Sequence, residues 1–221
     1  GVVTSSWQRD TVVSQYDIDP VKIRVIPNYV VTDVFQPQPE VEKQYDLVSV
    51  GRAGKQKNLG NLLQALHSLK TKGKRIRMVM VGGCSYDNEI KEAVERYALD
   101  VTFAGNIPNL ELPSMLNQAK VYILASYYEG HPKTLLEAMS CGLPCIGTDV
   151  TGIREDIQHK KTGYLCGTDY ESIANAIETV LSDEALKETM GKSAQEYVQR
   201  NYSVDKVLEM ELDVIREVIA Q

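Results

Sequence analysis

From Tyr45 onward, short apolar runs rich in β-branched residues alternate with stretches whose apolar positions recur at helical spacing. The runs at 47–50, 75–81, 101–104, 121–124, 144–147 and 163–165 read as strands, because each is brief, apolar and close to turn-forming residues. Between them, Leu59, Leu62, Leu63, Leu66 and Leu69 mark one helix face and Ile90, Val94, Tyr97 and Ala98 a second. Leu112, Met115, Leu116 and Ala119 mark a third, and 135–140 reads as a further helix. Three helices close the chain at 172–181, 183–199 and 204–219. The last carries Val204, Val207, Leu208, Leu212, Ile215, Val218 and Ile219 on one stripe, long enough to need a partner surface.

Sustained β/α alternation implies parallel strands joined by helical crossovers. The predicted class is therefore α/β, a Rossmann-like parallel sheet with helices on both faces. In open sheets of this kind the ligand sits beyond the carboxyl ends of the strands. Chemistry is thus expected in the loops after Val50, Val81, Ala104, Leu124 and Ile146. The first 40 residues break the pattern: Ile18-Asp19-Pro20 and Ile26-Pro27-Asn28 signal turns, and Gln36-Pro37-Gln38-Pro39 reads as a stiff polar linker. No sheet of their own is expected there.

Composition adds exclusions. Against 30 Asp and Glu there are 24 Lys and Arg, a net charge of −6, which argues against nucleic acid as a partner but leaves room for a local basic pocket. No apolar run approaches the ~18 residues of a membrane span. Cys84, Cys141, Cys145 and Cys166 are too few and too scattered for a disulfide framework, and no second Cys/His pair completes a zinc site, so no metal is expected. Buried, reduced thiols fit a cytoplasmic location. The chain begins Gly1-Val2-Val3-Thr4 with neither an initiator Met nor a leader, and is expected to be cut from a longer protein.

Two segments at the ligand edge carry candidate chemistry. Gly51-Arg52-Ala53-Gly54-Lys55-Gln56-Lys57 has neither the P-loop spacing nor G-x-G-x-x-G, yet it places Arg52 and Lys57 in a strand-to-helix loop. A planar donor fork beside a mobile point charge suits a diphosphate, although a solvated loop would have the same composition. After the strand ending at Leu124, Glu129 falls in a loop and Glu137 inside the helix that opens near Thr134. The open amides around Lys133, Thr134 and Leu135 are an anion site by construction. Carboxylates on either side can accept hydrogen bonds from sugar hydroxyls, which suggests a nucleotide sugar. The alternative is two ordinary glutamates beside a helix.

The string from Glu129 to Pro144, Glu-Gly-His-Pro-Lys-Thr-Leu-Leu-Glu-Ala-Met-Ser-Cys-Gly-Leu-Pro, resembles the E-x7-E signature of the retaining GT-B glycosyltransferases of family 4, the glycosyl transferases group 1. Four more segments resemble that family in the same order: Ile23 to Asn28 its hinge, Val50-Gly51-Arg52 to Lys57-Asn58-Leu59 its G-R-x-x-x-x-K loop, Val101 to Gly105 its base-side strand, and Asp149 to Asp156 its D-x-G-G-x-x-E-x-I segment. Two positions depart from it, Thr151 where Gly is usual and His131 where an aromatic or Phe-like residue is usual.

The resemblance implies the C-terminal, donor-binding half of a GT-B fold. Residues 1–40 would be the tail of an N-terminal domain and the hinge, 41–200 the nucleotide-sugar domain, and 201–221 a helix crossing back. Arg52 and Lys57, after Gly51, would hold the donor diphosphate and neutralise the leaving group, and Glu129 would act with them on the transferred sugar. Glu137 would bind the ribose, the backbone of Gly130, His131, Pro132, Lys133, Thr134 and Leu135 would cradle sugar and phosphate, and Asn106 and Ile107 would lie near the base. His131 would serve as a shape and backbone element rather than an acid or base.

The donor would be a UDP-, GDP- or ADP-sugar and no cofactor or metal would be needed. A glycan or lipid-linked acceptor would bind the absent domain, with the whole enzyme peripheral at the inner membrane face and the fragment alone inactive. Two alternatives stay open, a non-catalytic nucleotide-sugar-binding module and a UDP-sugar 2-epimerase-like enzyme.

Overall fold

A computed structural model describes residues 1–220. Six strands form one parallel sheet: β3 (Tyr45–Val50), β4 (Arg77–Val81), β5 (Asp100–Gly105), β6 (Ala119–Leu124), β7 (Cys145–Thr148) and β8 (Tyr164–Cys166), in the spatial order β5-β4-β3-β6-β7-β8. Ahead of them, β1 (Val2–Val3) and β2 (Arg24–Val25) pair in parallel around helix α1 (Ser6–Tyr16). The remaining helices are α2 (Leu59–Thr71), α3 (Asn88–Arg96), α4 (Leu112–Asn117), α5 (Lys133–Ser140), α6 (Tyr170–Ser182), α7 (Glu184–Tyr202) and α8 (Val204–Ile219).

The central strands are buried on both faces, as near-continuous apolar runs require. On one face α2, α3 and α6 cover the sheet through Leu62, Leu63, Leu66, Val94, Ile173 and Ile177. On the other, α4, α5 and α7 pack through Leu116, Leu135, Leu136, Met139 and Val198. Val30 and Phe35, inside the stretch expected to be tail and hinge, are buried in that second face. Val30 is also tied to the α7–α8 junction, donating its N–H to Tyr202 O at 2.8 Å and accepting from Val204 at 3.1 Å.

Three local expectations are corrected. Ala119 belongs to β6, not to a helix face, because it pairs with Tyr45; cross-strand register overrides a helical spacing that persists for one residue too many. Ala98 adopts a left-handed backbone, φ 46°, beyond the end of α3, where the Leu99 N–H bonds Val94 O at 3.0 Å to close the turn. Residues 1–25 do form a small sheet, whose two-residue strands are too short to leave a periodic signal.

Cys84, Cys141 and Cys145 are buried and Cys166 half-buried, all as free thiols. Among the described residues no helix is long and apolar enough to cross a membrane.

Candidate functional site

The strand order reverses at β3: the crossovers through α2 and α3 lead outward to β4 and β5, and the chain then returns to β6 on the other side. The loops leaving β3 and β6 therefore part at a topological switch point, where such sheets form their ligand crevice. Both sequence-derived segments lie there.

The loop after β3 is set by its backbone. Gly51 donates to Val81 O at 2.9 Å, and Gly82 crosses it so closely that a Cβ would lie 2.6 Å from Gly51 O. With φ +98°, Gly82 has to be glycine on both counts. A single turn at Lys55–Lys57 follows, ended by Asn58 in the left-handed region at φ 54°, a conformation Asn tolerates. Asn58 Nδ2 anchors the turn by donating to Thr168 O at 2.7 Å. Arg52 stands exposed beside it, its guanidinium without a protein acceptor among the described residues.

That anchoring delivers Lys57 to Glu129, with Nζ 2.7 Å from Oε1. Ser126 Oγ donates to the same oxygen at 2.6 Å, and the Gln56 amide reaches Tyr128 O at 2.8 Å and Glu129 Oε2 at 3.4 Å. The Glu129 N–H bonds Thr151 O at 3.2 Å. Glu129 is thus a buried carboxylate held through Oε1 by Lys57 and Ser126, with only the longer Gln56 contact at Oε2, and the two residues that the resemblance assigns to different parts of a donor touch each other. Thr151 acts through its carbonyl, which explains why a non-glycine is accepted there. The following Gly152 is the constrained position: at φ +85°, a Cβ would lie 2.1 Å from Glu129 O.

Helix α5 begins after Pro132. The N–H groups of Leu135 and Leu136 turn back to Pro132 O at 3.0 and 3.3 Å. Those of His131, Lys133 and Thr134 meet no protein acceptor among the described residues, so these three amides form the open cradle. Thr134 Oγ1 sits 2.9 Å from the Tyr122 hydroxyl, and Lys133 Nζ lies over the Tyr29 ring, 5.0 Å from its centroid.

One helical stretch on, Glu137 is 2% exposed. Burial pushes its carboxyl up to about 7, against the opposing pull of the Lys133 charge and an Asn109 side-chain hydrogen bond. Asn109 belongs to the loop after β5. In it Asn106 is exposed, its N–H 3.4 Å from the Tyr86 hydroxyl, and Ile107 packs against the core.

The His131 ring is buried. Its Nδ1 accepts the Asn28 N–H at 3.1 Å, which leaves Nε2 as the protonated nitrogen, 3.6 Å from Asp156 Oδ1. The ring meets Tyr202 edge-on at 5.2 Å, and both Asp156 oxygens are buried without a hydrogen-bond partner. Gln56 and Ser126 join the site without a signal of their own in the sequence, whereas Asn28 lies in the segment that resembles the hinge.

A groove of about 970 Å³ lies between the first turns of α2 and α3, lined by Lys55, Asn58, Asn61, Asp87, Arg96 and Tyr127 among others, and neither Lys57 nor Glu129 lines it. Among the described residues no group of three or more His, Cys, Asp or Glu gathers as a metal cluster.

Similarity to known proteins bears on this arrangement. The sequence profile of the glycosyl transferases group 1 matches residues 31–197. N-acetyl-alpha-D-glucosaminyl L-malate synthase of Bacillus anthracis is 32% identical over 170 residues, 76% of this chain and 44% of that protein. The capsular polysaccharide biosynthesis glycosyltransferase CapM of Staphylococcus aureus is 28% identical over 162 residues, 70% of this chain and 41% of its own. The chain therefore spans less than half the length of either.

Among solved structures, sucrose-phosphate synthase of Thermosynechococcus elongatus superposes with a TM-score of 0.88 at 26% identity, over 99% of this chain and 58% of that one. Anabaena HepE, solved in complex with UDP and glucose, gives 0.86 at 19% identity over 97% and 62%, a likeness of fold. The six-stranded sheet is that of the Rossmann-like GT-B glycosyltransferases. On the profile match, which covers most of its length, this chain belongs to the glycosyl transferases group 1.

Proposed function

We propose that this chain binds the nucleotide sugar in a retaining glycosyl transfer of the family 4 type, as the donor half of an enzyme whose acceptor is held by a segment outside it. The observation that carries this reading is the convergence, at one switch point, of the Arg52 and Lys57 cations, the open amides of His131, Lys133 and Thr134, and two carboxylates in different environments.

The cations and amides would receive the diphosphate. Lys57 would bridge Glu129 and a phosphate oxygen, leaving Glu129 free edges for hydroxyls of the transferred sugar. Glu137, when ionised, would accept from the ribose diol, with Asn106 and Ile107 near the base. Transfer breaks the bond between the anomeric carbon and the phosphate oxygen and makes a bond to an acceptor hydroxyl oxygen on the same face, the hydroxyl proton passing to the departing phosphate. Negative charge builds on the departing diphosphate, where preorganised cations and N–H groups lower the barrier. The reading assigns that task to the chain's own groups rather than to a metal ion. Turnover would require the acceptor-binding remainder of the enzyme, a glycan or lipid-linked acceptor being the class expected.

The test is calorimetry with UDP-glucose, GDP-mannose and ADP-glucose; UDP is the first probe because HepE was solved with it. One of the three should bind, and Arg52→Ala or Lys57→Ala should weaken it roughly tenfold or more, the loss of one charge-assisted bond. Binding of none of the three, or unchanged affinity in both variants, overturns the reading.

A further inference from the structure

The residues that aim the open amides come from the far end of the chain. In a trans peptide the C=O and the following N–H point in opposite directions, so whatever holds the carbonyl sets where the amide looks. The carbonyl of Gly130 accepts from the Trp7 indole N–H at 3.2 Å. Gly152 packs on that same side, where a Cβ would come within 2.9 Å of Gly130 O. The His131 N–H therefore emerges from the opposite side.

The next carbonyl, His131 O, accepts from Asn28 Nδ2 at 2.7 Å, while the Asn28 N–H bonds His131 Nδ1 at 3.1 Å. This two-point grip fixes the His131–Pro132 peptide and so the direction in which α5 starts, with its Lys133 and Thr134 amides open. The brace is itself anchored: Glu155 accepts the first amides of α1, those of Ser6 at 3.3 Å and Trp7 at 3.4 Å. Gly130 is the one residue here with free backbone torsions, and without the brace its peptide has alternative orientations.

We propose that Trp7 and Asn28 are positioning residues that preset the phosphate-and-sugar cradle by holding the carbonyls of Gly130 and His131. This rests on the donor-binding reading above. Neither residue is placed to touch the donor; each acts through the loop backbone.

The test uses Trp7→Phe, which keeps ring bulk without the N–H, and Asn28→Leu, which keeps the branched shape without a charge but loses the donor. Affinity is measured for the nucleotide sugar that binds the parent chain and for the matching nucleoside monophosphate, beside the thermal midpoint without ligand. Loss of one neutral hydrogen bond predicts a ~3- to 10-fold weaker nucleotide sugar in each variant. The monophosphate, which lacks the second phosphate and the sugar, should be weakened less than the nucleotide sugar, and the midpoint should stay within about 3 °C. Equal weakening of both ligands with a lowered midpoint would mark these as structural residues only and overturn the proposal. Unchanged affinity in both variants overturns it as well, while leaving donor binding intact. Failure of the parent chain to bind any nucleotide sugar overturns the donor reading, and this proposal with it.

Discussion

Around Glu129, the loops after β3 and β6 surround a carboxylate with a lysine, a hydroxyl and an amide, and its charge is balanced before any ligand arrives. Around Glu137, the interior of α5 offers a carboxylate little but burial, one nearby lysine charge and an asparagine, and its proton is held up to about 7. Two identical side chains on one short segment are thus prepared differently. The first is held in an ion pair with Lys57. The second is a carboxylate kept near its midpoint at neutral pH, which gains when something donates hydrogen bonds to its ionised form.

The largest effect expected from breaking this contrast is at Lys57. Lys57→Met strands Glu129 as a buried charge and should cost on the order of 3 kcal/mol in urea unfolding. Adding Glu129→Gln should recover much of that loss. A small single-variant cost, or additive costs in the double variant, would mean that the pair is no more than a surface contact.

Glu137→Gln should act in the opposite direction. A carboxyl whose folded value lies near 7, above its ordinary 4.5, contributes stability that is complete below 4.5 and lost as pH rises through 7. Glutamine avoids that loss. At pH 8 the variant should gain as much as about 3 kcal/mol over the parent, and at pH 4 almost nothing. Urea midpoints at the two pH values check it, and a gain that does not depend on pH would remove burial as the cause.

The smallest effect sharpens the comparison. Thr151 supports Glu129 through its carbonyl alone, so Thr151→Ala should change stability by no more than about 0.5 kcal/mol. A larger loss would give its hydroxyl a role the geometry does not.

The sheet was legible because buried parallel strands are written as brief apolar runs, and the two glutamates because they fall in a dense local motif. Ala119 and Ala98 were misread because register and a left-handed cap are decided by partners, not by periodicity. The α8 stripe was legible as a surface in need of a partner, and the structure buries Val207 while leaving Leu208, Leu212, Ile215, Val218 and Ile219 exposed. Helix α1 has no buried residue, so no apolar pattern announced its place. The contacts that prepare the site were not legible at all. Lys57 and Glu129 are 72 residues apart and Trp7 and Gly130 are 123 apart, and hydrogen bonds made across such distances leave no mark on spacing.

If Glu137 reads a donor through its ionised form while the cations and amides hold the diphosphate, donor affinity should follow the titration of that carboxyl. Calorimetry of a nucleotide sugar between pH 5.5 and 8.5 tests it most directly, because a diphosphate esterified at both ends does not titrate in that range. Affinity for the parent chain should rise with pH, by up to about tenfold per pH unit below 7, and level off above it. Glu137→Gln should bind more weakly at pH 8 and show no such rise. A flat profile in the parent chain, or the same rise in the variant, would mean that the Glu137 carboxylate does not hold the donor.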